Sequence, residues 1–142
     1  MPISDVENSL VQVAATSGGT YATIADLTAW DATHGEESLT RTPVFGRANP
    51  YIRSGDDTDT YDLTGLYNVM DTGGQNVLRN AKNNRTTVFL RVLPDGGATG
   101  AVGYTQECRV TQYKDSGDAS GDWVAATFTL EGVGTRITYT AA

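Results

Sequence analysis

The chain has 142 residues, the length of one domain able to bury a self-sufficient core. Ten Lys and Arg stand against 17 Asp and Glu, and the net charge of −7 disfavours a protein that grips nucleic-acid phosphates or an anionic membrane surface. With 19% charged residues the chain is no polyelectrolyte, and one Cys and one His leave no intrachain disulfide, cysteine zinc site or two-histidine metal centre.

The 21 Thr, 16 Gly and 7 Tyr against 2 Lys suit pleated, half-buried strands joined by tight turns. Leu10 to Ala14 is a short strand closed by Ser17-Gly18-Gly19, and a second candidate runs from Thr20 to Ile24. The segment from about 26 to 59 is punctuated by Gly35, Pro43, Gly46, Pro50 and Gly55, and is expected to be a long irregular loop with only Ser38 to Phe45 extended. Loops of that length inside a domain are usually functional, and this one carries Trp30, Arg41, Phe45, Arg47, Tyr51, Ile52 and Arg53, the aromatic and arginine content of interface hot spots.

Thr60 to Tyr67 follows as a strand with Tyr61, Leu63 and Tyr67 on one face, where Gly65 marks a bulge or a close backbone approach. The period then changes. Thr72-Gly73-Gly74-Gln75 fits a capping box, with the Thr72 hydroxyl on the Gln75 amide, opening a helix over about 72–83. Val77, Leu78 and Ala81 form its apolar stripe, and Arg79, Lys82 and Arg85 complement its C-terminal dipole.

Thr87 to Leu93 is a buried strand turned by Pro94-Asp95-Gly96-Gly97, and Ala101 to Tyr113 is a long strand with Thr105, Glu107, Arg109 and Thr111 on one face. After a wide polar turn, Trp123 to Glu131 places Val124, Ala126, Phe128 and Leu130 inward, and Gly132-Val133-Gly134 leads to a last strand with Ile137 and Tyr139 on one face. Strands, one helix and strands again predict a mainly β fold of two packed antiparallel sheets, sandwich- or barrel-like, with one short flanking helix.

Catalytic patterns do not assemble. Asp56 to Asp62 is rich in carboxylates but lacks the turn glycine and bidentate glutamate of a calcium loop, so a solvated acidic loop is expected. His34 has no serine on a nucleophile elbow to serve, and Cys108 in mid-strand is expected to be a buried, inert thiol. No cofactor, no metal and no enzymatic activity are expected. The longest apolar runs fall short of a membrane span, and Met1 to Asp5 has neither the basic start nor the apolar stretch of a secretory signal, so synthesis in a cytoplasm is expected.

The run Tyr61-Asp62-Leu63-Thr64-Gly65-Leu66-Tyr67, then Met70-Asp71-Thr72-Gly73-Gly74-Gln75 and Leu78, resembles the strand-to-helix junction of tail-tube (major tail) proteins of long-tailed bacteriophages. Phe89 to Gly96, Gly103-Tyr104 and Gly121 to Gly132 continue the resemblance in the same order, covering about residues 60 to 134. It implies one tail-tube-like domain over 1–142 that forms a hexameric ring, with rings stacking into the tube through which the genome passes. It implies as partners further copies of the chain and other tail proteins such as the tape measure, tail terminator and distal tail proteins. DNA would pass in transit without sequence-specific binding, and no membrane is involved. The implied location is the virion tail, assembled in the host cytoplasm. The early loop and the N-terminal arm would reach neighbouring subunits or rings.

An acidic lumen would repel phosphate at short range, and the Thr105, Glu107, Arg109 and Thr111 face is its candidate wall. Two other readings stay open. One is a different all-β virion component, either a tail terminator or a capsid-decorating protein. The other is a monomeric ligand-binding sandwich using Trp30, Trp123 and several Tyr as a sugar platform.

Overall fold

The structure is a computed structural model that describes residues 9–35, 38–41, 51–54, 59–117, 119, 121 and 123–142, with 38–41 and 51–54 described by their backbone. In chain order the elements are β1 (Leu10–Ala14), β2 (Ala22–Thr23), β3 (Leu27–His34), β4 (Ser38–Arg41), β5 (Tyr51–Ser54) and β6 (Asp59–Leu66). There follow α1 (Gln75–Asn84), β7 (Thr87–Leu93), β8 (Val102–Ser116), β9 (Ala125–Gly132) and β10 (Ile137–Thr140).

The fold is mainly β, and its large sheet is continuous. Eight strands join in the order β2-β1-β7-β8-β9-β6-β3, with β10 also pairing β8, and β4 and β5 form a separate two-stranded ribbon. The two edges of this order, β2 and β3, are joined by Ile24, Ala25 and Asp26 alone. Those residues reach only about 10 Å, whereas a flat sheet of seven strands would hold its edges roughly 29 Å apart. The sheet must therefore roll. The expected two layers are the two sides of one rolled sheet rather than two separately bonded sheets.

Asp26 makes the turn with φ at 61°, Ile24 donates its amide to Val11 O at 2.9 Å, and Leu66 donates to Asp26 O at 2.9 Å. Gly65 lies opposite Leu27, where β3 carries a bulge, and a Cβ there would strike the Asp26 carbonyl and the Leu27 Cα. Both anticipated roles of Gly65, bulge and close approach, are present at one position.

Period-2 alternation fills the roll. Val11, Val13, Tyr61, Leu63, Val88, Leu90, Val92, Cys108, Val110, Ala126, Phe128 and Leu130 point inward, and Leu78 and Ala81 of α1 pack against the same core. Val124 departs from the expected inward row: it precedes β9 and is exposed.

Two expectations are corrected. Residues 26–59 are not an irregular loop throughout, because Leu27–His34 is an eight-residue strand on β6 and Ser38–Arg41 pairs Tyr51–Ser54. Along β3 only Trp30 and Ala32 of the core-side row are half-buried while His34 at its end is exposed, so the row is too short and mixed to raise a period-2 signal. The helix begins at Gln75 rather than 72 and has no capping-box bond: the Gln75 amide donates to Asp71 Oδ2 at 2.9 Å, so Asp71 takes the role expected of Thr72. A carboxylate beside a helix N-terminus is a stronger acceptor than a hydroxyl and gains from the dipole.

Candidate functional site

The strand β8 carries the predicted wall residues. Thr105, Glu107 and Arg109 alternate with the inward Gln106, Cys108 and Val110, so the three share the outer face of the roll. Thr111 sits at a register shift between Val110 and Gln112, is exposed, and donates to Thr129 O at 3.2 Å. Glu107 accepts from the Thr87 hydroxyl at 2.8 Å, and Thr105 accepts from Arg91 Nε at 3.3 Å. Across β9 and β6 the same face continues through Thr127, Thr129, Thr64 and Asp62, with Thr129 Oγ1 donating to Asp62 Oδ1 at 3.0 Å. Short hydroxyls and carboxylates thus make up much of this surface.

Arg91 is fastened on the same face, with its guanidinium between the Tyr21 and Tyr139 rings at 3.7 and 3.6 Å from their centroids. This stack ties the chain entering β2 to β10 across the middle of the sheet. Burial raises the Tyr21 pKa, and the neighbouring Arg91 charge opposes that rise.

Inside the roll, Tyr61 donates its hydroxyl to Gln106 Oε1, and Gln106 Nε2 donates to Gly134 O at 2.8 Å. At the exposed end of β3, His34 stands edge-on to Tyr104, with ring centroids 5.0 Å apart, and 3.7 Å from the Asp59 carboxylate, which Arg136 also approaches at 3.5 Å. Burial pushes the Tyr61 and Tyr104 hydroxyls upward, and pushes the fully enclosed Cys108 thiol up to about 12. A thiol that stays protonated and sealed in a core is not a nucleophile. Among the described residues no three metal-ligating side chains gather; Asp56 and Asp57 lie outside them.

The candidate contact residues separate into three groups. Trp30 packs half-buried against the core opposite Leu63, and its indole N–H finds no hydrogen-bond partner among the described residues. It borders a cavity of about 160 Å³ with Ser9, Ile24 and Leu27, at the gap where the roll's edges approach. Arg41, Tyr51, Ile52 and Arg53 are brought together on the ribbon, where Arg41 pairs Tyr51, Thr40 pairs Ile52 and Leu39 pairs Arg53. Phe45 and Arg47 lie outside the described residues.

Gln75, expected only as a cap residue, is a hub. It is fully buried; its Oε1 accepts from the Asn68 amide at 3.0 Å and Arg79 Nη2 at 2.6 Å, and its Nε2 donates to Ala25 O and Leu66 O at 2.9 and 2.8 Å. Asp71 Oδ2 also accepts from the Ala25 amide at 2.8 Å, so one junction joins the β2–β3 turn, the end of β6 and the start of α1. Sequence reasoning missed this, since its parts lie up to 50 residues apart. It also missed the exposed apolar side chains Tyr67, Val69, Met70, Trp123 and Val124, which gather because the Tyr67 amide donates to Val124 O at 2.8 Å.

These elements define the class: one antiparallel sheet rolled around its core, with a helix packed against that core and a two-stranded ribbon. The same fold occurs in the tail of a gene transfer agent particle refined with C6 symmetry, at a TM-score of 0.72 and 14% identity over 99% of this chain and 100% of that one. It occurs in the SPP1 tail tube, at a TM-score of 0.71 and 11% identity over 94% of this chain and 77% of that one. A sheath/tube terminator structure of an extracellular contractile injection system matches at a TM-score of 0.66 and 14% identity, over 99% and 98% of the two chains. No protein-family model and no curated protein matches the chain.

Proposed function

We propose that this chain is the structural subunit of a tail tube, self-assembling into six-fold rings that stack into a conduit for the genome. The observation that carries this reading is the end-to-end fold match to a tail of C6 symmetry, with 99% of this chain and 100% of that one aligned. The Thr105, Glu107, Arg109 and Thr111 face serves as the lumen wall, where hydroxyls stay hydrated and the acidic excess keeps phosphates from adhering within about a Debye length. The ribbon with Arg41, Tyr51, Ile52 and Arg53 and the cavity beside Trp30 supply contacts to neighbouring copies. The partners are further copies, other tail proteins such as the tape measure, terminator and distal tail proteins, and DNA in transit. The role is non-enzymatic, and the protein acts in the virion tail after assembly in the host cytoplasm.

Negative-stain images of the purified protein, paired with a mass measurement, test this directly. Hollow tubes or stacked six-fold rings are expected. A terminator, the reading that the 0.66 match to a sheath/tube terminator structure favours, would give single rings that never stack. A monomer at every concentration, especially one that binds glycans, would overturn both.

A further inference from the structure

The two ends of α1 carry complementary surfaces. At its N-terminal end, Tyr67, Val69, Met70, Trp123 and Val124 stand in solvent, with Met70 82% and Trp123 71% exposed. Asn76, in the first helical turn, holds this segment by donating to Val69 O at 2.8 Å. Carboxylates lie on the segments beside the patch: Asp26 accepts from Asn68 Nδ2 at 2.7 Å, and the exposed Asp115 adjoins Ser116, which pairs with Ala125 next to Val124, whereas Asp71, which follows Met70, is engaged by the Gln75 and Ala25 amides. Arg79 is the cation folded beneath Tyr67.

At the other end, the last turn of α1 is a ridge between two cavities. One, about 310 Å³, is bordered by Ala15, Val77, Ala81 and Val88 with Asn80 and Asn84 on the helix side. The other, about 290 Å³, is bordered by Lys82, Arg85 and Arg109. Three of the chain's ten cations therefore meet on one side of this turn in a molecule of net charge −7, with Glu131 opposite Arg109 on β9 as the carboxylate of the adjoining strand.

We propose that these two ends bind each other between copies: the Met70 and Trp123 patch of one chain seats on the C-terminal turn of α1 of the next. Its apolar side chains enter the Ala15 to Val88 cavity, and the carboxylates beside it face Lys82 and Arg85, leaving Arg109 at the edge of the contact on the β8 face. Trp, Tyr and Met are the residues that interface cores favour, and an exposed group of them rimmed by polar residues marks an interaction surface. Opposed charged rims fix the register and speed the encounter. Because the two surfaces differ, the contact is heterologous and repeats from copy to copy instead of closing a pair. It rests on the tube reading and names the surfaces through which copies join.

Two single variants, Met70→Cys and Asn84→Cys, test the contact with a short bis-maleimide. Cys108 is fully buried and stays silent. The mixture is expected to give a cross-linked dimer that neither variant forms alone; equal yields in the mixture and in the single variants would overturn the contact. Independently, the double variant Lys82→Glu and Arg85→Glu should raise the concentration needed for polymerisation on the order of ten-fold, and adding Asp115→Lys should recover part of the loss. Circular dichroism confirms that each variant is folded. Wild-type protein that never polymerises removes the tube reading and this contact together, whereas tubes indifferent to both tests remove this contact alone.

Discussion

Gln75 is a polar side chain with no exposed surface, and it is stable there because both its donors and its acceptor oxygen are engaged, with the Asn68 amide and Arg79 sharing that oxygen. Gln75→Leu fills similar space but strands the Asn68 amide and the Ala25 and Leu66 carbonyls, while Arg79 keeps the Tyr113 hydroxyl, Asn68 O and Asn76 Oδ1. Each buried group left unpaired costs about 1–3 kcal/mol, so a loss on the order of 3 kcal/mol or more is expected in urea unfolding. Cys108 makes a second prediction at this scale. Its thiol remains protonated up to about 12 in the folded chain, while the unfolded thiol ionises near 8.5. Above that value the unfolded state binds fewer protons than the folded one, so this contribution is complete below about pH 8 and declines as pH rises toward 12. Cys108→Ala should flatten the fall of the urea midpoint between about pH 8 and 11. An identical slope in both proteins would show that the thiol does not contribute.

The start of α1 separates two residues that the sequence makes look equivalent. Asp71→Ala removes the acceptor for both the Gln75 and Ala25 amides and should cost about 1–2 kcal/mol, whereas Thr72→Ala should stay within about 0.5 kcal/mol of wild type. Thermal melts of the two variants decide between them, and a larger loss at Thr72 would reinstate the capping box. At this scale the sequence was legible wherever alternation is strong: β1 and β7 fall where predicted, and β8 and β9 within three residues. It was illegible at β3, whose core-side row runs from a large ring at Trp30 through a methyl group at Ala32 to an exposed imidazole at His34. The capping-box pattern misled because a pattern of residue types does not say which of two adjacent acceptors the chain turns toward the helix.

For the whole molecule, the continuous ladder through β7, β8 and β9 and the junction at Gln75 tie every described part of the large sheet to its neighbours. Heating is expected to give one cooperative transition with equal calorimetric and van't Hoff enthalpies, the behaviour of a two-state unit. Two resolved transitions would show that the sides of the roll unfold separately. The mainly β class was legible from composition, but continuity of the sheet was not, because it depends on β2 and β3 being chain neighbours at opposite edges. The candidate wall on β8 was legible as a row of alternating residues. The apolar patch was not, since a single backbone bond joins Tyr67 to a partner 57 residues on.

The pairing of β1 with β7 has a kinetic consequence. Leu10 lies opposite Leu93 and Ala14 opposite Phe89, so β1 waits for a partner made much later. β10, near the end of the sequence, then adds to β8. Closing such long loops is entropically slow, and sheets dominated by distant pairings fold in milliseconds to seconds. The adjacent segments from β7 to β9, with α1 before them, are the local part that can form first. Until both terminal strands arrive, the flanks of β7 and the first half of β8 offer unpaired backbone. A newly made chain therefore passes through a stage with exposed strand flanks that ends only when β1 and β10 have covered them.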